Sequence, residues 1–105
     1  MIDNRVVDRI LGERKNMHPD DPCVMDKWNE LIKIFTYDEM STIAYLNNCC
    51  KENIEWISEI FEDISEQLQS FRFIECIKRL AIKYPDLDLE QDISYAKKVL
   101  KNVGE

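Results

Sequence analysis

Between residues 54 and 68 the apolar side chains Ile54, Ile57, Phe61, Ile64 and Leu68 recur at alternating intervals of three and four. That spacing places all five on one stripe of an α-helix, whereas in a strand it would scatter them over both faces. Trp56 and Ile60 widen the stripe, and so broad an apolar arc predicts a helix wedged between neighbours rather than laid on the outside. Glu52, Glu55, Glu59, Glu62 and Glu66 follow the same alternation. At ~100° per residue they form a ridge roughly opposite the apolar stripe.

The rest of the chain reads as helices around this one. Val6, Val7, Ile10 and Leu11 mark a first helix over residues 3 to 15 with Asp3 as its cap, and the two prolines of Met17-His18-Pro19-Asp20-Asp21-Pro22 enforce a loop. Asp21 followed by Pro22 starts a second helix running to residue 35, with Val24, Trp28, Leu31, Ile32 and Phe35 inward. Thr36 and Glu39 have capping-box spacing for a third helix ending near Asn48, with Met40, Ile43 and Ala44 inward. Ser70 caps a fifth helix that Pro85 stops. Asp88 and Gln91 form a second capping box for a last helix, lined by Ile93, Ala96, Leu100 and Val103 and ending near Gly104. Short connections make sequential helices antiparallel neighbours. The expected fold is all-α: one domain over residues 1–105, an irregular bundle or a short stack of helical hairpins with about five to six helices.

Composition agrees with one helical domain. Only 2 glycines and 3 prolines occur in 105 residues, too few for hairpin-rich β structure or linkers. Nothing near Met1 joins a basic start to an apolar run, and no stretch approaches the ~20 apolar residues that span a bilayer, so a cytoplasmic location is expected. Cys23, Cys49, Cys50 and Cys76 match neither a metal knuckle nor a secreted scaffold; they read as reduced, mostly buried thiols. The adjacent Cys49 and Cys50 have the alternative of a strained vicinal disulfide in an oxidising setting.

The formal charge of −7 is unevenly placed. Residues 1 to 35 hold seven acids against six bases and residues 71 to 105 six against seven, so the two flanks cancel. The imbalance lies between 36 and 70, where Asp38, Glu39, Glu52, Glu55, Glu59, Glu62, Asp63 and Glu66 face Lys51 alone. Like charges three and four residues apart on a helix cost a few tenths of a kcal/mol per pair, and ordinary surface helices relieve this by interleaving lysine or arginine. An unrelieved ridge repels nucleic acid and anionic lipid and speeds the capture of a basic protein surface. Trp56, at the edge of the apolar arc, reads either as core or as an interface anchor. Such a face is also compatible with simple solvation of a surface helix.

No catalytic pattern stands out. His18 lies near Asp20, Asp21 and Cys23, a donor set for a divalent metal, but the spacing fits no established site and loop and cap chemistry explain the same residues. A glycine-rich phosphate loop, a GxSxG elbow and an HExxH helix are all missing from the sequence. Exposed carboxylates supply no matched acid and base. The expectation is a binding protein, not an enzyme, with no cofactor and no metal.

From Thr36 to Val103 the chain resembles the small acidic helical immunity proteins of bacterial toxin systems. The resemblance is carried by the carboxylate-rich Trp56-Ile57-Ser58-Glu59-Ile60-Phe61-Glu62-Asp63 and by Lys83-Tyr84-Pro85-Asp86-Leu87-Asp88-Leu89 ahead of the final helix. It implies a tight one-to-one complex with a toxin domain, often a nuclease, whose basic active-site region is covered. The alternative is a helical adaptor or phage-encoded regulator that holds its partner in an apolar groove between helices. On the first reading the contact residues are Asp38, Glu39, Glu52, Glu55, Trp56, Glu59, Glu62, Asp63 and Glu66.

Overall fold

The computed structural model describes residues 2–101. The helices are α1 (Asn4–Lys15), α2 (Val24–Phe35), α3 (Glu39–Asn47), α4 (Lys51–Ile57), α5 (Phe61–Leu68), α6 (Phe71–Lys83) and α7 (Glu90–Lys98). A 3₁₀ turn at Ser58–Ile60 joins α4 to α5 as one bent helix, and a second at Pro85–Leu87 follows α6. Among the described residues there is no strand, and no helix is long and apolar enough to cross a membrane.

The fold is all-α and single-domain, an irregular bundle rather than a stack of hairpins. Adjacent helices α1 and α2 do pair, but the other extensive pairings, α5 with α7 and α3 with α6, skip along the chain. Side chains explain this. Ser65 Oγ, fully buried on α5, donates to the Ala96 carbonyl on α7 at 2.7 Å. Gln69 sits in the left-handed region at φ 49°, where it ends α5. Its side chain then donates to Val99 O at 2.9 Å and accepts from Lys101 N at 2.8 Å. These bonds offset the roughly 1–2 kcal/mol that the left-handed backbone costs a non-glycine residue. The radius of gyration, 13.2 Å, matches the ~13 Å of about 100 residues packed around one core.

The apolar stripe forms that core. Ile54, Ile57, Phe61 and Ile64 are fully buried, Phe61 meets Phe73 edge-on at 5.9 Å, and Phe35 packs on Tyr45 at 5.3 Å. Full burial of such side chains contributes about 1.5–3 kcal/mol each.

Helix ends differ from expectation at several places. Asp3 caps α1 by accepting from Arg5 N at 2.9 Å, and Ser70 caps α6 by accepting from Phe73 N at 3.0 Å, both as expected. Asp21 accepts from Cys23 N at 2.8 Å, but Pro22 and Cys23 form a turn and α2 begins only at Val24. The Thr36–Glu39 box does not form. Thr36 Oγ1 instead donates to Ile32 O at 2.6 Å, closing α2, and Asp38 caps α3 by accepting from Ser41 N at 2.9 Å. The Asp88–Gln91 box is also replaced: Asp88 has a left-handed backbone at φ 54°, and the Gln91 side chain donates to Tyr95 Oη at 2.9 Å. In both cases a nearer polar side chain or a preceding 3₁₀ turn pre-empted the box. Leu100 is buried against the core, whereas Val103 and Gly104, expected at the end of the last helix, lie outside the described residues.

Candidate functional site: an acidic face on the bent helix

The five glutamates lie outward of the core, all exposed, but not on one straight ridge. Glu52 and Glu55 belong to α4, Glu59 to the 3₁₀ turn, and Glu62 and Glu66 to α5. The break is local chemistry: Ser58 Oγ donates to the Glu55 carbonyl at 2.6 Å, and Ile60 leaves helical geometry at φ −115°. Backbone hydrogen bonding by a serine within a helix bends it in this way.

Little of this charge is compensated. Lys15 on α1 pairs with Glu52 at 3.1 Å. Glu55, Glu59, Glu62, Asp63 and Glu66 form no ion pair with any described cation. Lys51, the one base of the window from 36 to 70, is engaged with Asp86 after α6.

Folding adds acids that the ridge alone did not include. Asp92, in the first turn of α7, comes close enough to Glu59 to raise its pKa, and Asp88 in turn acts on Asp92. Burial is the main cause of the upward shift at Glu59, followed by the opposing pull of Arg14 and then the push of Asp92. Asp63 is raised by burial and next by Glu66, and Asp92 by burial, against the lowering influence of the nearby Ser58 hydroxyl. Three carboxyls on this face therefore hold their protons more firmly than free ones do, because their charge is crowded and partly desolvated. Asp92 was legible as a first-turn acid, but the α5–α7 contact that brings it to Glu59 was not.

Arg14 is the second residue that sequence reading missed. Its guanidinium lies between two indoles, 5.3 Å from the Trp28 ring centroid and 5.1 Å from that of Trp56. The side chain is only 8% exposed, and its Nε has no hydrogen-bond partner. Trp56 is thus half-buried against the core, one wall of an arginine sandwich rather than a free anchor. Three positions on three helices build this cluster, a signal with no short-range pattern in the sequence.

Asp38 and Glu39 are occupied with folding. Asp38 accepts from both the backbone and the hydroxyl of Ser41, which holds its carboxyl below the usual range. Glu39, half-buried, accepts the Ser70 hydroxyl and ties α3 to the start of α6. Both carboxylates thus already accept hydrogen bonds within the fold, unlike those of Glu55, Glu62 and Glu66 on the bent helix.

The remaining chemistry is sparse. His18 and Asp20 are exposed, His18 Nδ1 accepts from Asp20 N at 3.1 Å, and among the described residues no three histidine, cysteine or acidic groups gather as a metal site. All four cysteines are free, but the expected burial holds only for Cys76, with Cys49 half-buried and Cys23 and Cys50 exposed. A cavity of about 410 Å³ beside Cys49 is lined by Asp8, Tyr45 and Asn53. There Asn53 already donates to Asp8 at 3.1 Å, and burial pushes the Cys49 thiol up to about 11, away from a reactive thiolate.

Comparison with known proteins yields no matching family model, no matching curated protein and no matching solved structure. The class that the fold defines is therefore a small all-α bundle, and its acidic face is the feature on which a function has to rest.

Proposed function

We propose that this chain is an immunity protein: it binds one-to-one to a cognate toxin domain with a basic surface, of which a nuclease is the leading candidate, and neutralises it in the cytoplasm without catalysis. The observation that carries the reading is the run of exposed, unpaired carboxylates Glu55, Glu59, Glu62, Asp63 and Glu66, extended by Asp92 from α7. Glu59, Asp63 and Asp92 are raised in pKa chiefly by burial and further by neighbouring carboxylates, Asp92 at Glu59, Glu66 at Asp63 and Asp88 at Asp92, so a cation brought alongside would favour their charged forms. A nuclease active-site region, built to hold phosphates, supplies such a cationic surface. The same field repels nucleic acid and anionic lipid, so the partner is a protein.

The test begins with the neighbouring open reading frame. A large upstream gene with a basic C-terminal domain supplies the probe, and that domain is mixed with the purified chain in calorimetry and in a toxicity assay. One-to-one binding that abolishes toxicity, with an on-rate falling steeply as salt is added, supports the proposal. Absence of binding to that domain, or binding indifferent to salt, overturns it.

A further inference from the structure

On the side of the molecule where α6 and α7 pack, the charge pattern is inverted. A groove of about 600 Å³ runs between these helices, with Ala81 and Ile93 as its apolar floor and Ile82 at its edge. Lys78, Lys97 and Lys98 stand along it against a single acid, Glu90, in a chain whose net charge is −7. Lys78 is shared with Glu75 at 3.6 Å, and Lys98 rests over the Tyr95 ring at 5.5 Å; Lys97 forms no ion pair with a described residue. Ile82 is 80% exposed, an apolar side chain that the fold places at the lip of a groove without covering it.

We infer that this groove receives an amphipathic α-helix of another protein, one whose apolar stripe is flanked by aspartate or glutamate. A groove between two helices takes a third through apolar side chains spaced three and four apart. The lysines set the sign of the flanks by charge complementarity. α7 also limits the length of the occupant. Its last turn carries Lys97 and Lys98, but its first carries Glu90 and Asp92, the latter part of the acidic face. A polyanion such as a nucleic acid, or an anionic membrane, laid along α7 runs from attraction into repulsion within nine residues. A short helix with localised acids does not. This surface is distinct from the acidic face, and the inference stands whether or not the immunity reading holds.

The probe is a synthetic helical peptide of about 15 residues with leucines at helical spacing and glutamates on the flanks. It is titrated into the isotopically labelled full chain and followed by NMR. Shifts centred on Ala81, Ile82, Ile93 and Lys97 are expected, with affinity falling about tenfold or more in Ile82→Asp and in Lys97→Glu with Lys98→Glu. These residues are exposed apart from Ile93 and Ala81, so the variants keep the helical circular dichroism of the parent. Equal binding of a lysine-flanked peptide, equal binding of a scrambled peptide, or shifts elsewhere overturns the inference. So does binding of phosphatidylglycerol vesicles or duplex DNA in place of the peptide. Self-association of the chain that Ile82→Asp abolishes would assign the groove to a second copy and overturn it as well.

Discussion

In the α1–α2 hairpin Lys27 stands between Glu13 and Glu30 at 2.7 and 3.4 Å, and Arg9 approaches Glu13 at 3.8 Å; along the bent helix α4–α5, Glu55, Glu59, Glu62, Asp63 and Glu66 meet no described cation. The same chain thus balances its acids in one place and leaves them unbalanced in another. The lysine hydrogen bond is the main reason that Glu13 titrates below the ordinary carboxylate range, while Glu59 and Asp63 titrate above it, chiefly through burial. In the hairpin charge serves the fold. On the bent helix it opposes the fold slightly, and retaining it makes physical sense when something outside the chain supplies the missing cations.

The largest effect that can break this contrast is on association. Glu55→Lys, Glu59→Lys and Glu62→Lys together should slow capture of a basic toxin domain by about ten- to a hundredfold and flatten its salt dependence, as measured by stopped-flow fluorescence. Three equal reversals on the hairpin side, at Glu13, Asp26 and Glu30, change the net charge identically but should lower thermal stability and leave the on-rate within about threefold. Equal slowing by both sets would mean that net charge alone matters, and the bent helix would lose its special status.

Arg14 tests how the two regions meet. It is a hairpin residue whose charge is buried between Trp28 and Trp56 and felt by Glu59. Arg14→Ala should cost about 2–3 kcal/mol in chemical denaturation, since it removes two cation–π contacts and leaves a gap between the indoles. Arg14→Met fills that gap and removes the unpartnered Nε, so its cost should stay within about 1 kcal/mol. A methionine variant as unstable as the alanine one would show that the charge, not the packing, holds the cluster.

How far the sequence foretold this arrangement depends on the range of each signal. The Ile54-to-Leu68 stripe and the outward glutamates are periodic over one helix, and both appear where expected, as does the Ser70 cap. The bend at Ser58–Ile60 was hidden, because a serine hydroxyl turned to a backbone carbonyl leaves the apolar spacing intact. The approach of Asp92 to Glu59 and the Arg14 sandwich arise from contacts between helices far apart in the chain, for which one sequence holds no periodic trace. The engagement of Asp38 and Glu39 within the fold was hidden too, since charge counting does not tell a capping carboxylate from a free one.

A smaller effect follows at the corner where Glu39 is held. Ser70→Ala removes the cap on α6 and the hydroxyl that Glu39 accepts, and should cost about 1 kcal/mol by thermal denaturation with no change in toxin association. A change in on-rate without a change in stability would place Glu39 on the contact surface.

The finest test is the pH dependence of stability. Glu59, Asp63 and Asp92 have folded-state pKa values above those of the unfolded chain, so the native state binds protons more tightly and gains stability as pH falls through those values. Asp38, Glu13 and Asp86 are shifted the other way and lose stability over the acid range. Replacing the first three by Glu59→Gln, Asp63→Asn and Asp92→Asn removes only the raised set. The variant should therefore exceed the parent in melting temperature at about pH 7, where the carboxylates are ionised in both states, and the gap should narrow as pH approaches about 4, the unfolded carboxylate range. A gap that is constant with pH would show that the replaced groups titrate alike folded and unfolded, and the acidic face would then hold no carboxylate whose charge burial and crowding disfavour.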